Sequence, residues 1–215
     1  MSAIRAFFWD NDGVLVDTER LYLRANQETL DAAGVALDHD QYVEFFLRQG
    51  RGAWHLLEER GVSAAEIQEW RRRRNALYSQ LLEREACAID GVAGTLESLH
   101  GQYVMGIVTS SRKDHFDIIH TKCNLLQYFD FILTEADFKR AKPHPDPYLL
   151  ALERSGARPD ECVAIEDSER GLQAATLAGI PCIVIPTALT AGSNFAAAAR
   201  IVDRVEDIPA ALKDL

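Results

Sequence analysis

Two aspartates separated by a single residue stand directly after an apolar segment near the N-terminus. Asp10 and Asp12 follow Ile4–Trp9, and Gly13 permits a sharp turn behind them. On an extended backbone, residues two apart project to the same face, so both carboxylates are expected on one side of the chain. One carboxylate can attack phosphorus and form an aspartyl phosphate. The other can protonate the leaving oxygen and later activate water. The alternative is an ordinary acidic loop after a strand.

A run of hydroxyl residues gives a second signal. Thr109, Ser110 and Ser111 follow the apolar segment Tyr103–Val108 and precede a helix-like segment. Hydroxyls and free amides at a helix N-terminus can together bind phosphate. These three residues are therefore candidates for phosphate binding, with N-capping of the helix by Ser110 or Ser111 as the alternative.

A lysine and a second acid pair complete the set. Three prolines in Lys142–Pro147 predict a rigid loop that holds Lys142 in one position, where it could neutralise charge on a phosphoryl group. Glu166 and Asp167 end another apolar segment, and their carboxylate oxygens are ligands that Mg²⁺ prefers. The alternatives are a solvated lysine and capping of the following helix by Asp167 or Ser168.

The elements that must position these residues alternate along the chain. Short apolar segments without strict alternation are typical of strands buried on both faces. The predicted strands are Ile4–Trp9, Tyr103–Val108, Phe131–Leu133, Cys162–Ile165 and Pro181–Ile185. The helix-like segments between them cover residues 92–100, 112–122, 146–155 and 169–178. This order predicts a doubly wound, Rossmann-like α/β fold with a parallel sheet. Because open α/β sheets bind ligands at the carboxyl ends of their strands, the four signals are expected to meet there.

Residues 17–87 interrupt this alternation, and no strand is predicted among them. The predicted helices cover residues 19–33, 40–60 (as one or two helices) and 64–85, and Ser63 opens the last one with a capping box. We therefore predict an α/β catalytic core from residues 1–16 and 88–215 and an all-helical cap over residues 17–87. An insertion after the first strand is expected to act as a lid over the ligand-binding edge of the sheet.

Composition and charge exclude several classes of protein. The 215 residues include 23 Lys and Arg against 33 Asp and Glu, a net charge of −10. Nucleic acid and anionic membranes are therefore disfavoured as partners, and no apolar segment approaches the length of a membrane span. The first residues lack the pattern of a signal peptide and the four cysteines are isolated, so we expect a cytoplasmic protein. We expect a monomer, with a dimer as the alternative.

The four signals together resemble the haloacid dehalogenase superfamily. The resemblance is closest to the branch that holds β-phosphoglucomutase, phosphoglycolate phosphatase and small sugar phosphatases, and it covers nearly the whole chain. It implies a nucleophile, a general acid/base, a phosphate-binding hydroxyl and a charge-neutralising lysine, which are Asp10, Asp12, Thr109 and Lys142 in that order. It also implies a Mg²⁺ site formed by Asp10, the backbone carbonyl of Asp12, Glu166 and Asp167. Asn11 departs from the branch, which usually has an apolar residue there; its side chain is expected to point away from the nucleophile's face.

The predicted cap supplies further candidates for substrate binding, namely Thr18, Arg51, Arg74 and Asn75. Arg74 falls on an apolar helical stripe between Trp70 and Leu77, so it either extends to solvent or contacts substrate. By the resemblance, Arg74 and Asn75 align with a lysine and an asparagine of β-phosphoglucomutase-like chains. Two cap arginines would suit a substrate with a second anion, either a carboxylate or another phosphate.

These observations predict a Mg²⁺-dependent phosphatase that hydrolyses a small phosphorylated metabolite, a sugar phosphate or phospho-acid, through an aspartyl phosphate. A β-phosphoglucomutase-like sugar phosphomutase is the first alternative. Chains of that kind carry a histidine five residues after the hinge aspartate, and counting from Asp17 this chain has Tyr22 there. A tyrosine with a pKa of about 10 cannot replace an imidazole near neutrality, which favours hydrolysis. A catalytically silent binding protein on the same fold is the second alternative, which the intact set of site residues disfavours.

Overall fold

The computed structural model describes residues 3–214, and a parallel sheet forms the centre of the α/β part. Its strands are β1 (Ala6–Trp9), β2 (Val104–Val108), β3 (Phe131–Leu133), β4 (Cys162–Glu166), β5 (Cys182–Val184) and β6 (Arg200–Ile201). They lie in the order β3-β2-β1-β4-β5-β6, and each neighbouring pair is parallel. The predicted doubly wound α/β fold is confirmed. The sequence did not predict β6, because its two residues are exposed and form no apolar segment.

Helices connect the strands and also make up the inserted segment. In chain order they are α1 (Glu19–Ala32), α2 (His39–Tyr42), α3 (His55–Glu58), α4 (Ala64–Glu85), α5 (Val92–Leu99), α6 (Lys113–Cys123), α7 (Asp146–Ser155), α8 (Glu169–Leu177) and α9 (Ile208–Ala211). Short 3₁₀ turns cover Leu126–Tyr128, Glu135–Asp137, Pro159–Glu161, Val205–Asp207 and Leu212–Asp214. Within residues 3–214, no helix combines the length and apolarity needed to cross a membrane.

The described chain divides into two compact units, one formed by residues up to 17 and from 87 onward, the other by Thr18–Ala86. In the first unit, the side chains of β1 are all fully buried. Ala6 and Phe8 pack into one apolar cluster with Tyr148 of α7 and Leu172 of α8. Successive side chains of a strand point to opposite faces, and burial of both faces explains the unbroken apolar sequence of β1.

The register of the strands brings their carboxyl ends together. Trp9 pairs with Ile107 of β2 on one side and with Ile165 of β4 on the other. The next residue, Asp10, donates its N–H to the carbonyl of Ile165 at 2.9 Å. The chain runs outward from β1 to β3 and then returns to β4 on the opposite side of β1. Such a reversal creates the crevice where open α/β sheets bind ligands.

In the second unit, α4 begins as the sequence predicts. Ser63 Oγ accepts the N–H of Glu66 at 3.3 Å, and the Glu66 carboxylate accepts the N–H of Ser63 at 3.0 Å. This reciprocal pair is a capping box. The buried apolar residues of the unit form one cluster, which includes Leu30, Tyr42, Trp54, Leu57 and Ile67.

The segment from 40 to 60 differs from the predicted one or two helices. It contains the end of α2, a π-helical turn at Val43–Arg48, a loop, and α3. Gly50 and Gly52 in that loop have φ angles of +65° and +71°. These are left-handed conformations that a right-handed helix cannot contain, so the helical segment ends before them.

Candidate active site

Lys142 and Asp10 form a buried ion pair at the carboxyl end of the sheet. Lys142 Nζ lies 2.7 Å from Asp10 Oδ1, and the residues are 5 % and 9 % exposed. The ammonium also donates to the Val108 carbonyl at 2.7 Å and lies 2.6 Å from Glu166 Oε1. A lysine ammonium has three donors, so these three acceptors fix its position. Asp10 Oδ2 has no hydrogen-bond partner among the described residues, which leaves this oxygen available for chemistry.

Glu166 is held on several sides. Tyr148 donates its hydroxyl to Glu166 Oε1 at 2.6 Å, and Ser168 Oγ lies 3.4 Å from Oε2. Gly171 leaves room for the carboxylate, since a Cβ at that position would overlap Oε2. Burial and the neighbouring Glu166 carboxylate raise the pKa of Tyr148 well above its ordinary value, so the hydroxyl stays protonated as a donor. These contacts keep Glu166 turned toward Lys142.

Asp167 joins Asp10 and Glu166 in a cluster of carboxylates. One oxygen from each of the three residues lies within 4.8 Å of the others. All three carboxylates are largely removed from solvent. Oxygen ligands gathered at this spacing are suited to a hard divalent cation. The cluster is therefore a candidate metal site.

The charges of this cluster shift one another's protonation. The pKa of Asp10 rises to about 7, mainly because burial outweighs the lowering effect of Lys142, with smaller contributions from the Glu166 and Asp12 carboxylates. Burial lowers the pKa of Lys142, but Asp10 and Glu166 outweigh that effect, so its pKa lies above the ordinary value. The pKa of Asp10 rises despite its ion pair because desolvation dominates and because Lys142 is shared with a second carboxylate. Lys142 is shared by Asp10 and Glu166, so its single positive charge does not balance both carboxylates.

The carboxylate of Asp12 faces the hydroxyl residues that follow β2. Ser111 Oγ donates to Asp12 Oδ2 at 2.5 Å, and Thr109 Oγ1 donates to the same oxygen at 3.4 Å. Thr109 Oγ1 in turn accepts the N–H of Ser111 at 3.0 Å. The structure therefore joins the first acid pair to the loop after β2, as the strand order requires.

Neither Ser110 nor Ser111 caps α6, so the capping interpretation of these residues is wrong. The residue before α6 is Arg112, and its side chain makes no capping hydrogen bond. Ser110 Oγ is buried and has no hydrogen-bond partner within residues 3–214. After β4, in contrast, the capping group is Ser168, whose Oγ accepts the N–H of Gly171 at 3.1 Å.

Arg74 in the second unit is buried rather than extended to solvent, so the solvated alternative is wrong. Its exposed fraction is 9 %, and its guanidinium lies 4.6 Å from the ring centre of Tyr22. It donates to Asn26 Oδ1 at 3.1 Å and to Asn75 Oδ1 at 3.0 Å. No carboxylate pairs with Arg74 in the described part of the chain, and the Asn26 and Asn75 amides and the Tyr22 ring are uncharged.

The other predicted cap residues differ in exposure. Arg51 is exposed, donates to Gln49 Oε1 and lies 4.9 Å from the ring centre of Phe45. Thr18 is buried, and its carbonyl accepts the N–H groups of Leu21 and Tyr22 at the start of α1. Substrate binding by these residues stays a prediction.

Three buried polar residues that contact predicted site residues were not predicted from the sequence. Tyr148 lies in the first turn of α7 and contacts Glu166, while His120 of α6 contacts Asn11 at 2.8 Å. Asn26 of α1 holds Arg74. The available signal was Asn11, because a polar side chain next to a fully buried strand needs a hydrogen-bond partner.

Comparison with known proteins identifies the family. The sequence matches the family described as haloacid dehalogenase-like hydrolase over residues 7–185. The chain belongs to this family. It is 32 % identical over 216 residues to "Protein CbbY" of Cereibacter sphaeroides, covering 95 % of this chain and 94 % of the relative. It is 28 % identical over 180 residues to the fructose-1-phosphate phosphatase YqaB of Escherichia coli (strain K12), covering 81 % of this chain and 93 % of the relative.

A solved structure is similar over almost the whole chain. It is a mutant of CbbY from Rhodobacter sphaeroides in complex with xylulose-(1,5)bisphosphate, with a TM-score of 0.80 and 28 % sequence identity, covering 97 % of this chain and 99 % of that one. The family and these relatives confirm the predicted resemblance and the predicted class of enzyme. The protein is a hydrolase, and phosphatase is the activity that agrees with its family and its named relatives.

Proposed function

We propose that this protein is a Mg²⁺-dependent phosphatase that transfers the phosphoryl group of a small phosphorylated metabolite to Asp10 and then to water. One observation carries the proposal. Lys142 binds Asp10 Oδ1 at 2.7 Å, while Asp10 Oδ2 has no partner among the described residues. A carboxylate fixed through one oxygen presents the other as an oriented nucleophile.

The carboxylates of Asp10 and Asp167 and the backbone carbonyl of Asp12 are the proposed Mg²⁺ ligands. The fit rests on a buried, all-oxygen donor set with three carboxylates gathered at one point. Glu166 shares the cluster, but Lys142 and Tyr148 already engage its Oε1, so we assign it to positioning Lys142 as well as to the charge of the site. The bound cation would screen the repulsion between the Asp10 carboxylate and an anionic phosphate.

The proposed reaction has two steps in which Asp12 exchanges one proton. Asp10 Oδ2 attacks phosphorus, the bond to the substrate oxygen breaks, and Asp12 donates its proton to that leaving oxygen. A water molecule then attacks the aspartyl phosphate and Asp12 takes a proton from it, so inorganic phosphate leaves and Asp10 is regenerated. Lys142 stays protonated throughout and neutralises charge near the phosphoryl group.

The hydroxyl loop after β2 is the proposed phosphate-binding element. Ser110 Oγ is buried without a partner among the described residues, and a substrate phosphate oxygen would satisfy it. Thr109 and Ser111 donate to Asp12 in the absence of substrate, and each has one hydroxyl proton. We propose that they turn toward the phosphate when it binds, which leaves Asp12 to its proton transfer.

The proposed substrates are phosphorylated sugars, and Arg74 favours those that carry a second anion. A buried guanidinium with aromatic and amide partners but no paired carboxylate in the described chain can take an anion bidentately. Asn75 orients Arg74 through the 3.0 Å hydrogen bond. Thr18 and Arg51 are further proposed substrate contacts. The relatives named above act on fructose 1-phosphate or bind a xylulose bisphosphate, which agrees with this class.

Tyr22 favours the phosphatase over the sugar phosphomutase. A mutase must protect its aspartyl phosphate from water and pass the phosphoryl group to a second hydroxyl. The Tyr22 ring packs edge-on against Tyr78 at 5.0 Å, and the guanidinium of Arg74 lies over its face. The ring therefore contributes to packing and to a cation–π contact. Because this position holds a tyrosine, it lacks the imidazole that would couple substrate binding to proton transfer in a mutase. Hydrolysis is then the fate of the intermediate.

The test is phosphate release from a panel of phosphorylated sugars and phospho-acids, in excess chelator and after Mg²⁺ is restored. We expect release that requires Mg²⁺ and inhibition by Ca²⁺, whose larger and looser coordination would misplace Asp10. Full activity in chelator would refute the metal requirement. The mutase arm supplies β-glucose 1-phosphate with a trace of its bisphosphate. Isomerisation faster than phosphate release would contradict the proposed phosphatase function and favour the sugar phosphomutase.

A further inference from the structure

The residue between the two aspartates is a fully buried amide. Asn11 is 0 % exposed, and its backbone carbonyl accepts the N–H of Leu15 at 2.8 Å and the N–H of Val16 at 3.1 Å. The backbone of Asn11 thus shapes the turn after β1. Any residue could supply that carbonyl, so the turn does not explain why the buried side chain is polar. A buried amide is costly unless its side chain is hydrogen-bonded.

The side chain of Asn11 bridges α6 and Asp12. His120 Nε2 lies 2.8 Å from Asn11 Oδ1, and Asn11 Nδ2 lies 3.3 Å from Asp12 Oδ2. A carboxylate oxygen can only accept, so the amide nitrogen faces Asp12 and the amide oxygen faces His120. His120 must then carry a proton on Nε2. The 3.3 Å contact is longer than the typical value of about 2.9 Å, as is common for catalytic groups before substrate binds.

The hydrogen bond to Asn11 is the polar side-chain contact that the structure shows for His120. Burial lowers its pKa to about 4, so the ring is neutral at pH 7. Its Nδ1 is buried and has no hydrogen-bond partner within the described part of the chain, and its ring lies 4.3 Å from the ring of Phe116. The hydrogen bond to Asn11 therefore fixes the imidazole in the Nε2–H tautomer.

We infer that Asn11 and His120 are positioning residues for Asp12: His120 orients the Asn11 amide, and the amide holds the Asp12 carboxylate in place for both proton transfers. This inference rests on the proposed function. The same Asp12 oxygen receives Ser111 Oγ and Thr109 Oγ1, which turn to the phosphate when substrate binds. The amide of Asn11 also donates to this oxygen, and because Asn11 belongs to the turn after β1, its contact does not depend on the two hydroxyls.

The role of Asp12 differs between the two steps, and this makes the inference testable with an aryl phosphate. Nitrophenolate leaves without much protonation, so phosphorylation of Asp10 by p-nitrophenyl phosphate needs little help from Asp12. Hydrolysis of the aspartyl phosphate still needs Asp12 as a base. Asn11→Leu removes both side-chain hydrogen bonds and keeps a side chain of similar size. For this variant we expect a burst of nitrophenol, followed by a steady-state rate at least about 10-fold lower than that of the wild type. A loss of folded protein would lower burst and steady rate together.

Two substitutions of His120 separate positioning from packing. His120→Phe keeps the ring volume and loses the donor, and His120→Gln keeps a donor at the position of Nε2. We expect the burst in His120→Phe and near wild-type kinetics in His120→Gln. Ile119→Val, which perturbs the fully buried neighbouring residue of α6, should show no burst. The Asn11→Leu/His120→Phe double variant should lose no more than Asn11→Leu alone, because the two residues act in series.

The outcomes separate the inference from the proposed function. Wild-type protein that releases no phosphate in Mg²⁺ would overturn the proposed function, and the inference would fall with it. The inference alone would be overturned if the wild-type protein is active and Asn11→Leu or His120→Phe shows burst and steady-state rates within about twofold of the wild-type rates. If Asn11→Leu does not fold, the contrast between His120→Phe and His120→Gln decides the matter, and equal kinetics in these two would refute the positioning role.

Discussion

Gly13 leaves room for the Asp167 carboxylate: a Cβ on Gly13 would overlap Asp167 Oδ2. The residue that turns the chain behind the first acid pair thus also makes space for a carboxylate of the second. Gly13 has a φ of +80°, a conformation that residues with a Cβ rarely adopt. One glycine therefore serves both the turn and the candidate metal site.

Gly13→Ala is expected to weaken Mg²⁺ activation because the new methyl group displaces Asp167. We expect the Mg²⁺ concentration for half-maximal activity to rise about 10-fold or more, as when the surroundings of a metal ligand are disturbed. Activity titrations with Mg²⁺ measure it. The control is Gly101→Ala, since Gly101 has a φ of +75° and its new methyl group would meet no described atom within 4 Å. A Mg²⁺ requirement of Gly13→Ala no higher than that of Gly101→Ala would contradict the displacement of Asp167.

Asp10→Asn should abolish turnover and preserve the fold. The amide has the shape of the carboxylate but cannot attack phosphorus, so activity should fall below about 1 % of wild type. Thermal unfolding should show no loss of stability, because the substitution removes a buried charge that burial disfavours. Asp117→Asn, at an exposed carboxylate bonded to Lys113, is the control. More than about 1 % residual activity would exclude Asp10 as the nucleophile.

His120 should make the protein less stable in acid. Its pKa falls from the ordinary 6.5 to about 4 on folding, mainly through burial. Between these values the unfolded chain binds a proton that the folded chain does not, so stability is fully present above pH 6.5 and is lost as the pH falls toward 4. Comparison with His120→Gln cancels the other titrating groups. The melting temperature of the wild type should drop relative to that of the variant across this range. The corresponding loss in the free energy of unfolding is at most about 3 kcal/mol. Parallel curves would contradict a buried neutral imidazole.

Arg74→Gln should discriminate between substrates. For a sugar with a second phosphate or a carboxylate, we expect KM to rise about 10-fold or more while kcat changes little, because a charge-assisted contact of a buried guanidinium is lost. For a sugar with one phosphate, KM should change less. Arg72→Gln is the control, since Arg72 is exposed and pairs with Glu69 at 2.5 Å. Equal effects on both kinds of substrate would argue that Arg74 supports the helical unit and not anion binding.

The predicted fold class and the predicted site positions both follow from local features of the sequence. Asp10, Thr109 and Asp167 each follow or end a short apolar segment, and a buried parallel strand is the structure such a segment favours. Once the strands are parallel, their carboxyl ends share one edge, so local sequence is enough to gather these residues. Capping signals likewise placed the start of α4 at Ser63, because a capping box depends on neighbours three residues apart.

The side-chain partners of Glu166, Asn11 and Arg74 depend on how distant segments pack together. Tyr148 meets Glu166, His120 meets Asn11 and Asn26 meets Arg74 across separations of 18, 109 and 48 residues, and no periodic pattern encodes such pairings. Helical periodicity could place Arg74 on an apolar face, but the choice between solvent and burial depended on Asn26 and Tyr22 of another helix. The raised pKa of Asp10 has the same origin, because desolvation and a shared lysine exist only after distant strands pack together.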